Sequence, residues 1–228
     1  MSDQRVIVAV ITTGTRPLRD YRDAPVAIFI DRERRGAASM RNLALQYAFA
    51  AHDVDHLFMF DDDCYPTKSG WVDYFLDWHA SRGVLFTGTC ESFKENITPD
   101  PVTSDLRAGG WLGCFGSWTR EAWRRVGYYN TEYDCYGFED AAMHKRLIAA
   151  GCADEFARTQ GRVPVPMRAQ AYIHSEDVYA ENPAPNFTHE EKERYIALNR
   201  PRYVAECERT AQGAYWMPFS QHAPMIEP

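Results

Sequence analysis

The chain contains no apolar run of the roughly 20 residues that a membrane-spanning helix needs. It also has no C-x-x-C pair, no internal repeat, no low-complexity tract and no excess of positive charge. Each absence removes a class of function. No membrane span is expected. The short apolar segment from Val6 to Ile11, behind Asp3, suits a first β-strand better than a secretory leader. The six cysteines, Cys64, Cys90, Cys114, Cys135, Cys152 and Cys207, are scattered, which argues against a zinc site or a dense disulfide framework. Free thiols in a reducing compartment follow as the expectation. That places the protein in the cytoplasm and leaves the sequons at Asn96 and Asn186 without glycans. A formal net charge of −7 gives no global support for binding nucleic acid and leaves only a local basic groove.

What is present is a globular composition, 45% hydrophobic over 228 residues, enough for a substantial core. The first half alternates strand and helix signals. Arg5 to Thr13, Ala24 to Ile30, Leu57 to Phe60 and Val84 to Cys90 read as strands. Gly36 to His52 reads as a helix, with Met40, Leu43, Ala44, Tyr47, Ala48 and Ala51 on one stripe. Ser69 is placed to cap a second helix that runs through Arg82 and ends at Gly83. Glu91 to Gly110 reads as a loop, Trp111 to Trp118 as a strand, and Thr119 as the cap of a short helix that stops at Gly127. A helix opens at Glu139-Asp140 and ends before Gly151; Arg162 to His174 reads as a hairpin or two short strands. Thr188 to Glu191 matches a capping box for a last helix, expected to close at Pro201. The alternation implies an α/β fold, a mostly parallel central sheet flanked by helices. The chain reads as one domain over 1–228: a nucleotide half to about residue 100, an acceptor half over about 101–180, and a C-terminal helix and tail over 181–228.

The sharpest chemical signal is Leu57-Phe58-Met59-Phe60-Asp61-Asp62-Asp63, a buried strand that ends in three carboxylates. Ligands of open α/β sheets bind at the carboxyl ends of strands. Alternate residues of an extended chain point the same way, so Asp61 and Asp63 converge while Asp62 faces elsewhere. An Asp-x-Asp pair is an oxygen-ligand site for Mn²⁺ or Mg²⁺, of a kind that also holds phosphates.

The ordered motifs carry a resemblance. They are Gly36-x-x-x-Met40-Arg41-Asn42, Phe60-Asp61-Asp62-Asp63-x-x-Pro66, Gly113-x-Phe115 through Gly127-Tyr128-Tyr129-Asn130, and Tyr136-Gly137-Phe138-Glu139-Asp140 with Arg146-Leu147 and Gly151. Together they resemble glycosyltransferases of the GT-A fold, family 2 and the galactosyltransferase type, over roughly residues 5 to 175. The resemblance implies a GT-A domain that moves a sugar from a nucleotide-diphosphate donor, often a uridine one, with a divalent metal. By the family pattern Asp63 ligates the metal, and Asp61 reaches the ribose or the metal. Asp62 holds the variable middle position on the donor side, and Asp31 stands where a base- or ribose-binding carboxylate is found. Arg41 and Asn42 fall near the expected nucleoside. Asp140 takes the place of the base that deprotonates the acceptor in inverting members, and Glu139 that of a residue holding sugar hydroxyls. His174 ends an apolar strand-like run where related enzymes carry a third metal ligand, and imidazole suits Mn²⁺ better than Mg²⁺.

Trp111, Trp118, Tyr128, Tyr133, Tyr136 and Phe138 crowd the acceptor region. Core packing accounts for most of them, and Trp111 is the one placed near the donor sugar or acceptor. Two other readings keep the fold: a nucleotidyl- or phosphotransferase, and a sugar-binding module without catalysis. Gly14-Thr15-Arg16 is a poor phosphate cradle, which disfavours the first, and the presence of Glu139-Asp140 disfavours the second. The acceptor stays open among a saccharide, a small molecule, a protein and a hydroxymethylated base of phage-type DNA. The last needs an arginine track, for which Arg120, Arg124, Arg125, Arg200 and Arg202 are the candidates.

Overall fold

The structure is a computed structural model that describes residues 5–90, 111–133, 136–153, 173–176 and 187–220. Five strands form the central sheet: β1 (Val6–Thr12), β2 (Val26–Ile30), β3 (His56–Asp61), β5 (Phe86–Cys90) and β6 (Trp111–Thr119), in the order β2-β1-β3-β6-β5. β1 pairs in parallel with β2 and β3, and β6 runs antiparallel to both β3 and β5. Four strands therefore point one way and only β6 opposes them. The short strands β4 (Cys64–Pro66) and β7 (Ile173–Ser175) form a separate antiparallel ribbon. The helices are α1 (Ala37–Leu45), α2 (Trp71–Arg82), α3 (Arg120–Val126), α4 (Glu139–Ala149) and α5 (His189–Ala211). The expected hairpin over 162–174 lies outside the described residues apart from β7, as does the 91–110 loop.

Strand parity sorts the core into two layers. Val8, Val10, Phe58, Phe60 and Phe115 pack with Trp71 and Phe75 of α2. Ala9, Ile11, Leu57, Met59 and Trp118 pack on the other face with Met40 and Ala44 of α1 and Met143 and Leu147 of α4. Helices thus cover both faces, as buried, largely parallel strands require. The same parity carries Asp61, two residues past Met59, to the side of α1 and α4.

Three local features differ from the sequence reading. The helix after Gly36 does not stay regular: a π-helical stretch, Gln46–Ala51, follows α1 and ends with His52 N–H donating to Tyr47 O at 3.1 Å. The wider turn rotates the stripe, so Phe49 is buried and Tyr47 is 38% exposed. The residue capping α2 is Gly70 rather than Ser69, held by its N–H donating to Asp23 Oδ2 at 2.8 Å. Pro201 lies inside α5, which continues to Ala211. A proline in a helix interior costs about 3 kcal/mol. Beyond it, buried Glu206 accepts from Asn130 Nδ2 and Tyr133 Oη, each at 2.9 Å, and its Oε1 lies 2.9 Å from Arg146 Nε. That last approach is an ionic contact without hydrogen-bond geometry. These tertiary contacts hold the helix together where its own ladder is interrupted.

Candidate active site

Asp61 ends β3 with its side chain one-third exposed. Arg41, on α1, is 2% exposed and reaches it with Nη2, at 3.1 Å from Oδ1 and 3.2 Å from Oδ2. The same nitrogen donates to the Gly113 carbonyl at 3.1 Å. Nη1 donates to Asp140 Oδ1 at 2.5 Å and to Glu139 Oε1 at 3.4 Å. One guanidinium therefore bridges the strand-end acid and both acids that open α4, drawing together residues up to 99 positions apart.

The aim of Glu139 and Asp140 is set by the turn before them. Phe138 has φ 75°, a left-handed conformation that costs a side-chain-bearing residue of order 1–3 kcal/mol. Its ring stacks on Tyr203 of α5 with centroids 4.8 Å apart. Asn199, also on α5 and fully buried, donates to the carbonyls of Tyr136 at 3.0 Å and Gly137 at 3.2 Å. Helix α5 thus holds the strained turn in place. Gly113 completes the fit: a Cβ there would lie 1.9 Å from Asp140 Oδ2.

Three carboxylates around one guanidinium leave a surplus of negative charge. Burial, only partly offset by Arg41, holds the Asp140 carboxyl well above the usual range, with Glu139 and Asp61 adding to the rise. Burial raises Glu139 too, again against the pull of Arg41. A carboxylate of raised proton affinity is suited to act as a general base. The helix N-terminus favours its ionised form.

The rest of the acid run faces a second arginine. Asp62 is buried and accepts from Thr12 Oγ1 at 2.6 Å and Arg16 Nη1 at 2.9 Å. Asp63 is also buried, with Oδ2 3.5 Å from the same Arg16 nitrogen. The Asp63 carbonyl accepts from Glu176 N–H at 2.9 Å, joining the acid turn to the end of β7. His174 on β7 stands opposite Tyr65, with ring centroids 5.3 Å apart. Among the described residues, no three His, Cys, Asp or Glu side chains are gathered about a common metal position. Asp61 and Asp63 instead lie against Arg41 and Arg16. The donor types, two carboxylates with an imidazole on the neighbouring ribbon, fit Mn²⁺ or Mg²⁺ chemistry. Their convergence on one ion requires these arginine contacts to loosen.

The remaining expected site residues fall as follows. Asp31 accepts from the backbone N–H of Arg35 at 2.8 Å and of Gly36 at 2.9 Å, shaping the loop into α1. Asn42 is fully buried, and its amide is engaged with the Tyr129 N–H and carbonyl and the Ser220 carbonyl. It clamps α1 to the chain at 129 and 220. Trp111 begins β6 opposite Cys90, and its side chain lies outside the described residues. Of the arginines considered for a DNA track, Arg120 donates to the Val54 and Phe49 carbonyls, Arg125 pairs with Glu121, and Arg202 donates to Asn199. Sequence reasoning missed Thr12 and Arg16 as partners of the acids. Their position at the carboxyl end of β1, beside β3, was the available signal.

Residues 97–171 match a family model described as the N-terminal domain of galactosyltransferase. That segment includes Gly113, Glu139 and Asp140 and excludes the acid run on β3. No curated protein matches the chain. Among solved structures, the chain is similar to a mannosyltransferase from Pyrobaculum calidifontis in complex with GDP-Man and Mn²⁺, at 14% identity, TM-score 0.43, covering 92% of this chain and 74% of that one. It is also similar to the catalytic domain of Drosophila β1,4-galactosyltransferase 7 in complex with xylobiose, at 15% identity, TM-score 0.41, covering 83% and 79%. A third likeness is to A197 from STIV, at 15% identity, TM-score 0.35, covering 54% and 69%. The expected α/β architecture, a mostly parallel central sheet flanked by helices, is the one observed.

Proposed function

We propose that this chain, whose mostly parallel α/β sheet is accompanied by a match of residues 97–171 to a galactosyltransferase family model, is a metal-dependent glycosyltransferase of the GT-A type. In this reading it moves a sugar from a nucleotide-diphosphate donor, a UDP-sugar by the resemblance, to an acceptor hydroxyl with inversion. One observation carries the reading: Asp61, at the carboxyl end of β3, and Glu139-Asp140, at the start of α4, meet on a single guanidinium. The strand-end Asp61 and a carboxylate pair of raised proton affinity thus share one site, as donor activation beside acceptor deprotonation requires.

Asp63, Asp61 and His174 would hold the divalent metal. When bound it neutralises the charge growing on the leaving diphosphate. Asp140 takes the acceptor hydroxyl proton as the acceptor oxygen bonds to the anomeric carbon and the sugar–phosphate bond breaks. Glu139 holds sugar hydroxyls, and Asp31 and Asp62 shape the donor side, with Trp111 near the donor sugar or acceptor. Arg41 and Asn42 support that side from α1. Among the described residues no helix is long and apolar enough to cross a membrane. Cys64, Cys152 and Cys207 are free thiols, which supports a cytoplasmic setting.

The test is a donor screen that measures nucleotide release with Mn²⁺, mass spectrometry of candidate acceptors, and NMR of the product anomer. Asp140→Asn is expected to leave donor affinity nearly intact and to lower kcat by about 10²–10⁴-fold. Near-wild-type turnover in that variant, or a retained anomeric configuration, would contradict an inverting enzyme with Asp140 as its base.

A further inference from the structure

Arg41 is a buried cation held on several sides. Its guanidinium is enclosed by Asp61, Glu139, Asp140 and the Gly113 carbonyl, with the Tyr129 ring centroid 5.7 Å away. Nη2 faces the donor-side acid and Nη1 faces the base. Nε has no hydrogen-bond partner among the described residues. The acids and one carbonyl therefore set its position. It stands where positive charge is needed, beside an acid run suited to a metal.

We propose that Arg41 is the resident counter-cation of the acid cluster, and that a divalent metal at Asp61 and Asp63 competes with it for Asp61, so that metal loading at the end of β3 is felt by the base on α4. The inference rests on the reading of Asp61 and Asp63 as metal ligands.

A divalent ion and the guanidinium repel each other and draw on the same two oxygens of Asp61. A metal that claims Asp61 weakens the two Nη2 contacts, which are 3.1 and 3.2 Å long. The contacts through Nη1 to Asp140 and Glu139, and through Nη2 to the Gly113 carbonyl, remain. Because the guanidinium is a rigid planar fork, loosening one prong re-aims the other. Arg41 is thereby a positioning residue that links metal binding to the orientation of Asp140. A lysine cannot do the same, because an ammonium is a point charge without two prongs.

The experiment uses the full chain and Mn²⁺ alone, without donor or acceptor, and reads affinity by calorimetry. Asp63→Ala is the control for the site. Wild type is expected to bind Mn²⁺, and Asp63→Ala to lose that binding. Arg41→Met removes the competitor and is expected to bind Mn²⁺ roughly tenfold or more tightly than wild type. Arg41→Lys is expected to fall between the two. Millimolar guanidinium, filling the vacated place, is expected to bring Arg41→Met back toward the wild-type affinity. Should Arg41→Met fail to fold by circular dichroism, Arg41→Lys carries the comparison. Folded arginine variants that bind Mn²⁺ no more tightly than wild type overturn this inference and leave the metal site standing. No Mn²⁺ binding by wild type, or full binding by Asp63→Ala, overturns both.

Discussion

Arg41 spreads one positive charge over Asp61, Glu139 and Asp140, and Gly113 leaves the space that Asp140 fills. The second contact gives a test that changes no charge. Gly113→Ala would set a methyl group 1.9 Å from Asp140 Oδ2, so the carboxylate must move. A displacement of about 1 Å can cost on the order of 10²-fold in rate. Gly113→Ala is therefore expected to lower kcat by about that factor while Mn²⁺-dependent nucleotide binding persists, read by nucleotide release and calorimetry on the same preparation. Unchanged turnover would show that Asp140 does not need its observed position. At this scale the sequence showed the residue types but not their partners. Asp61 and Asp140 were legible as acids at a strand end and a helix start. That they share Arg41 depends on long-range packing, and Arg41 was expected at the nucleoside. Asn42 is instead engaged as a clamp on residues 129 and 220, a role that no local pattern announces.

The elements around the site depend on buried polar groups. Glu206 and Arg146, 2% and 1% exposed by side chain, tie α5 to α4. Arg146 also donates to the Val126 and Tyr128 carbonyls at 2.8 and 2.7 Å. Removing one partner of a buried pair leaves an uncompensated charge and costs about 3–5 kcal/mol. Glu206→Ala is expected to destabilise by about that much in urea titration and to loosen α5, which holds the Tyr136–Phe138 turn; a loss below about 1 kcal/mol would contradict this. Elsewhere His79, on α2, contacts the Val84 carbonyl at 2.9 Å and Ser117 Oγ at 2.7 Å, and burial pushes its pKa down to about 4. Burial pushes His144 of α4 down to about 4 as well. Unfolded imidazoles protonate near pH 6.5, so between about 6.5 and 4 the unfolded chain binds more protons. Stability is thus complete above that window and falls as pH drops through it, by up to about 3 kcal/mol per histidine. His79→Gln is expected to flatten this part of the thermal-denaturation profile, and an unchanged slope would count against a buried neutral imidazole. The run of α5 past Pro201 was hidden from sequence reasoning because its anchors are polar and distant. The π-helical stretch after α1 was hidden because hydrophobic periodicity assumes a constant turn.

Across the whole molecule, the layering was legible where apolar strands alternated with periodic helices. Strands β1 and β3 and helix α4 lie close to their expected spans, and Gly83, Thr119 and Gly127 cap helices as expected. The reversed direction of β6 is a matter of topology that strand propensity does not encode. The site forms because α4, distant in sequence from β3, packs on the face of the sheet to which strand parity sends Asp61. The acid run on β3 lies outside the segment that matches the galactosyltransferase model, whereas Glu139 and Asp140 lie within it. The central claim is that the acids ending β3 bind a nucleotide diphosphate through a divalent metal. Its most direct test is calorimetry of uridine diphosphate with and without Mn²⁺, on wild type and Asp63→Ala. The account predicts that Mn²⁺ tightens binding to wild type by roughly tenfold or more, a difference of about 1.4 kcal/mol, and that Asp63→Ala abolishes the gain. Nucleotide affinity that ignores Mn²⁺, or that survives Asp63→Ala with its metal dependence intact, would contradict it.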